Sequence, residues 1–160
     1  MEPLALSRPL FGGETAPEVS ELLARAMQSY ADTQLAETLL WQAQRKAPDA
    51  LPVYYSLYKF YFYKRDLENA ELSARMALQA AASAGGFDAD MLALHADSAD
   101  WSDYATPAHF YLFSLKALAF ILLRRGVRDE ASAIVDKLIE LDPQDTVGAS
   151  VVRYIAEGSH

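Results

Sequence analysis

Apolar residues recur every three or four positions along most of this chain, the spacing of helices with one buried face. Leu115, Leu118 and Leu122 show it most plainly. Ala36, Leu40 and Ala43, and then Ala70, Ala74 and Ala77, repeat it with smaller side chains that let helices approach closely. The pattern predicts an all-α protein. Its breaks are equally legible. Pro48 closes the helix ending at Ala47, and Gly85-Gly86 ends another. Thr106-Pro107 reads as an N-cap and first-turn proline opening a long helix, and Asp142-Pro143 stops the helix after it. Residues 146–157 predict a last helix, capped by Asp145 or Thr146, with Val147, Val151, Tyr154 and Ile155 as its apolar stripe.

The breaks keep a period. Pro48 and Ala82 stand 34 residues apart, and Pro143 follows 61 later, one further period plus 27. In residues 112–145, Leu115, Leu118, Ala119 and Leu122 form the contact positions of a first helix, Gly126 the turn, and Ala131, Val135 and Leu138 those of a second helix. In residues 51–84, Tyr54, Leu57, Tyr58 and Tyr61 precede Ala70, Ala74 and Ala77, with Arg65 at the glycine position of the turn. In residues 17–50, Leu23 and Met27 precede Ala36, Leu40 and Ala43, and Ser20 stands where an aromatic is usual. These residues resemble the tetratricopeptide repeat (TPR) family, whose helix-turn-helix unit is about 34 residues long. The resemblance implies a solenoid of antiparallel helix pairs forming one domain over residues 17–157. It would hold three repeats (17–50, 51–84, 112–145), an insertion (85–111) and a capping helix (146–157). Residues 1–16 would form an extended N-terminal arm, and residues 158–160 read as a tag remnant. The runs Lys59–Tyr63 and His109–Phe120 are similar to those of small bacterial TPR proteins that accompany nitrogen-fixation genes, which implies a nitrogenase component or assembly protein as partner.

The insertion, residues 85–111, carries five Asp and no Lys or Arg, against four basic and three acidic residues in residues 51–84. Asp88–His95 predicts a short helix capped by Asp88, and Ser98–Ala105 a loop. Trp101, Tyr104 and Phe110 are too apolar for an idle linker, so the segment is expected to pack on the helices, as one wall of the concave groove or across it.

Net charge is −8, which argues against nucleic acid as a partner. There is no cysteine, hence no disulfide framework or thiol chemistry, which suits the cytoplasm. No signal peptide and no membrane span are expected.

The resemblance implies that the first helix of each repeat lines the groove. That set is Glu18, Glu21, Arg25, Gln28 and Ser29, then Pro52, Tyr55, Lys59, Phe62 and Tyr63, then Phe113, Lys116, Phe120, Leu123 and Arg124. Seven of the thirteen residues from Leu51 to Tyr63 are aromatic. Packing within the array accounts for Tyr54, Tyr58 and Tyr61, which leaves Tyr55, Phe62 and Tyr63 on other sides. The partner-binding set is therefore Arg25, Tyr55, Lys59, Phe62, Tyr63, Lys116, Phe120 and Arg124. Rings would hold apolar side chains and the cations would pair acidic groups of another protein. The competing expectation is that the insertion or the N-terminal arm covers these rings.

A carboxylate clamp of the chaperone type needs an Asn in the groove, and the chain's single Asn is Asn69. Asp97, Asp100 and Asp103, flanked by His95 and His109, lack the glycine bend and bidentate Glu of a hard-cation loop, so no metal is expected. No nucleophile elbow, phosphate loop or HExxH appears, so neither enzyme activity nor a cofactor is expected. The chain reads as an adaptor, assembly factor or chaperone. Its rivals are an accessory protein for nitrogenase assembly or protection, which the resemblance implies, a homo-oligomeric structural element such as a homodimer, and a small-molecule-binding protein or enzyme with a pocket beside the insertion.

Overall fold

A computed structural model describes residues 15–158. Among them are seven α-helices and no strand: α1 (Pro17–Gln28), α2 (Thr33–Lys46), α3 (Leu51–Tyr63), α4 (Leu67–Gly85), α5 (Pro107–Arg124), α6 (Arg128–Leu141) and α7 (Ala149–Gly158). The N-terminal arm lies outside the described residues, apart from its last two positions.

Local chemistry sets the helix starts. The Asp32 carboxylate accepts from the Leu35 N–H at the head of α2, Asp66 from Asn69 at the head of α4, and Thr106 from His109 at the head of α5. Two helix ends match. Asp66 N–H reaches back to Tyr61 O after α3, and Val127 N–H to Leu122 O after α5, each at 2.9 Å. The residue before each is left-handed: Gly126 with φ 82° after α5, and Arg65 with φ 63° after α3. A long side chain thus occupies a turn that favours glycine.

Consecutive helices pack on one another, and α4 lies against both α3 and α5. Ala70, Ala74, Ala77 and Ala81 of α4 are completely buried, leaving room for the rings of α3 and α5. Tyr58 is buried in the array, as expected. Its ring stacks on Phe110 at 6.5 Å and its hydroxyl lies 3.5 Å from Ser114 Oγ. Tyr61 joins α2 to α3: it receives a bond from Trp41 Nε1 (2.8 Å) and donates to Glu37 Oε2 (2.7 Å). α5 is long and apolar enough to cross a membrane, and 61% of it is buried among its neighbours.

Several expectations are corrected. In α1 Leu23 is buried as expected, with Val19, Leu22 and Ala26, but Met27 is only half-buried. α5 begins at Pro107, as Thr106-Pro107 predicted, so residues 107–111 of the expected insertion belong to that helix and the segment between α4 and α5 is residues 86–106. Within it, Met91–Ala93 makes a single 3₁₀ turn capped by Asp90, while Asp88 accepts from the Asp90 N–H. The predicted helix stops there because Leu94 is drawn into the core and its carbonyl is held by Lys137 Nζ at 2.9 Å. Trp101 and Phe110 are buried as expected, but Tyr104 is exposed. His109 is buried against Tyr104, with ring centroids 4.5 Å apart. The last helix begins three residues late. Asp142, itself buried, accepts from Thr146 N, Thr146 Oγ1 and Val147 N, and Gly148 turns left-handed with φ 81°. Ala149 and Val152 are its buried residues; of the expected stripe, Val147 is buried in the turn before the helix and Ile155 is half-buried, whereas Val151 and Tyr154 are exposed.

Candidate functional site

α3 and α5 lie side by side and enclose a cavity of about 200 Å³. Tyr55, Tyr58, Lys59, Phe62 and Tyr63 line it from α3, and Phe113, Lys116, Ala117, Phe120 and Ile121 from α5. On α3 the spacing from Tyr55 through Tyr58, Lys59 and Phe62 is one helical face, and Phe113, Lys116, Ala117 and Phe120 repeat it on α5. The two faces meet ring to ring. Tyr55 lies 5.9 Å from Phe113 and Phe62 lies 5.5 Å from Phe120, centroid to centroid.

The rim is cationic. Lys59 Nζ donates to the Tyr55 hydroxyl at 3.1 Å and sits 5.1 and 5.5 Å from the Tyr55 and Tyr63 ring centroids. Lys116 Nζ is 5.9 Å from the Phe113 centroid, and the Arg124 guanidinium is 5.3 Å from that of Phe120. These are cation–π distances. Lys116 also reaches the α6–α7 turn, where a Cβ on Gly148 would lie 3.6 Å from its ammonium. Asp145 in that turn is held below its ordinary carboxyl value, first by hydrogen bonds from Ser150 and further by the Lys116 charge. No acidic side chain lines the cavity. Burial pushes the Tyr58 phenol far above its ordinary value, so its hydroxyl stays protonated.

The expected site residues divide. Tyr55, Lys59, Phe62, Tyr63, Lys116 and Phe120 come together here, and Arg124 covers the Phe120 face at one end. Arg25 does not join them: it is exposed on α1, and no α1 residue lines the cavity. Pro52 is buried, and Leu123 lines a separate recess with α6 and α7. Phe113, expected to line the groove, does so, and Tyr58, Ala117 and Ile121 complete the lining beyond the expected residues. The spacing of three from Tyr55 and of four from Phe113 is the signal that would have found Tyr58 and Ala117.

The insertion takes no part in this site. It lies on α4, α5 and α6, where Phe87, Trp101 and Tyr111 cluster and where Ala89, Asp90, Met91 and Leu92 border a second cavity of about 460 Å³. It therefore forms neither a wall nor a cover of the aromatic groove. Within the insertion, Asp100 accepts from Ser102 N and Oγ, and Asp103 from Ala105 N.

No family model matches the chain. No solved structure matches it. It is 32% identical over 149 residues to the uncharacterized 19.8 kDa protein in the nifW 5′ region of Azotobacter chroococcum mcd 1, a span of 89% of this chain and 80% of that protein. At that identity and coverage, the chain belongs to the same family as this nifW-region protein.

Proposed function

We propose that this chain is a TPR-like stack of helix pairs that works as a protein-interaction module in the cytoplasm. In this reading it serves nitrogen fixation as an adaptor, assembly factor or chaperone. The observation that carries the binding role is the cavity between α3 and α5, with a ring-lined floor and three cations on its edge. Aromatic and arginine side chains around a desolvated centre are the usual makings of an interaction hot spot. The stack reading is supported by the matched turns after α3 and α5, which lie 61 residues apart, and by burial of the repeat-contact residues of α3 to α6. The nitrogen-fixation setting rests on the nifW-region relative, and a nitrogenase component or assembly protein is the partner it suggests.

The test is affinity capture from an extract of nitrogen-fixing cells, with the wild type beside a Lys59→Glu/Phe62→Ala/Lys116→Glu variant shown to be folded by circular dichroism. A nitrogenase component or assembly protein held by the wild type and lost by the variant is the expected result. A partner held equally by both removes the groove from the function.

A further inference from the structure

Resting on the groove reading above, we propose that the cavity between α3 and α5 takes a single aromatic side chain of a partner protein, from a segment with carboxylates on either side of that ring.

Size sets the first half of the inference. The cavity holds about 200 Å³. An apolar protein cavity of about 150 Å³ takes up benzene, so this groove has room for one ring at its base. The walls suit a ring. Tyr55, Tyr58, Phe62, Phe113 and Phe120 offer faces and edges, and aromatic pairs gain from tilted or edge-on contact beyond the area they bury.

Charge sets the second half. An aromatic pocket is usually suited to a cation, but here the chain's own cations already lie over the rings: Lys59 at Tyr55 and Tyr63, Lys116 at Phe113, and Arg124 at Phe120. A cationic guest would meet three like charges and no acidic side chain in the lining. A carboxylate beside the inserted ring instead meets an ammonium on either helix. The protein as a whole carries −8, so this rim is a local reversal of sign that orients an acidic segment onto the groove.

The full-length protein is titrated by calorimetry with end-blocked pentapeptides. These are Asp-Glu-Phe-Glu-Asp, the same with Ala for Phe, and Lys-Lys-Phe-Lys-Lys; free N-acetylphenylalanine is the fourth ligand. The first is expected to bind, with loss of the ring or reversal of the flanks costing about tenfold or more in affinity. Lys59→Glu/Lys116→Glu, which leaves every lining ring in place, is expected to cost about as much, and added salt to weaken the wild-type complex. Equal binding of the Ala or Lys peptide overturns the inference. So does N-acetylphenylalanine binding as tightly as the peptide, since the ligand would then be a small molecule. If cell-extract capture depends on the groove but none of the peptides binds, the groove reading stands and this inference falls. If capture ignores the groove substitutions, both fall.

Discussion

The two aromatic clusters of this molecule use the same residue types to opposite ends. On the insertion side, Phe87, Trp101 and Tyr111 meet with centroids 5.2 to 6.2 Å apart. Their polar ends are bound by backbone carbonyls, Trp101 Nε1 to His95 O at 3.0 Å and Tyr111 Oη to Ala89 O at 2.6 Å. Trp101 and Tyr111 are buried, and they hold the insertion down. On the groove side, Tyr55, Phe62, Phe113 and Phe120 stay half-buried, and the polar neighbours of their rings are Lys and Arg side chains. Trp101 and Tyr111 are thus buried and tied to the backbone, whereas these groove rings are half-buried and edged by side-chain cations.

Substitutions should separate the two clusters. Trp101→Ala should have the largest effect on folding, a loss of about 3–5 kcal/mol in denaturant unfolding, with peptide binding in the groove retained below the transition. A loss under about 1 kcal/mol would mean that the insertion is held elsewhere. Lys59→Glu/Lys116→Glu should do the reverse, weakening partner binding about tenfold or more while changing unfolding stability by about 0.5 kcal/mol or less. Tyr111→Phe keeps the ring and leaves the Ala89 carbonyl unbonded, for about 1 kcal/mol, read by the same unfolding assay.

The pH response of the buried phenols should be smaller and should appear in alkali. Burial, with the Glu37 hydrogen bond behind it, pushes Tyr61 from 10.0 up to about 12. Burial also pushes Tyr111 well up, with Asp90 and Asp88 adding to it. Both phenols are protonated in folded and unfolded chains below pH 10.0, so stability is flat there with respect to them. Above that value the unfolded chain gives up its protons first, and stability falls through about pH 12. Melting temperature and tyrosinate absorbance should change together; ionisation without destabilisation would mean that these hydroxyls are open to water.

Much of the fold was legible because helix period, caps and breakers act over a few residues. Asp32, Asp66 and Thr106 cap where their side chains allow, and Pro107 starts α5 where its missing N–H costs nothing. The groove residues on α3 and α5 were legible for the same reason, since Tyr55, Lys59 and Phe62 fall on one face. Arg25 was misplaced because a helix face says which residues lie together, not what the next helix covers. Asp145 does bond the Ser150 N–H in the first turn of α7, as its sequence position suggested, but the helix starts late because Asp142 first holds Thr146 and Val147 in a turn with no periodic signal.

The sequence by itself determined the helices, most of their ends, the turns after α3 and α5, and the aromatic-cationic character of the groove. All of these depend on short-range backbone chemistry and on side-chain spacing. Only the tertiary structure decided which side the insertion took and how α3 and α5 align. The turns correspond at 61 residues, yet the facing rings correspond at 58, Tyr55 with Phe113 and Phe62 with Phe120. That slide of three residues, nearly one helical turn, comes from how two packed helices cross. α4 packs against both helices, and α5 is more than forty residues beyond α3, so no local pattern carries their alignment.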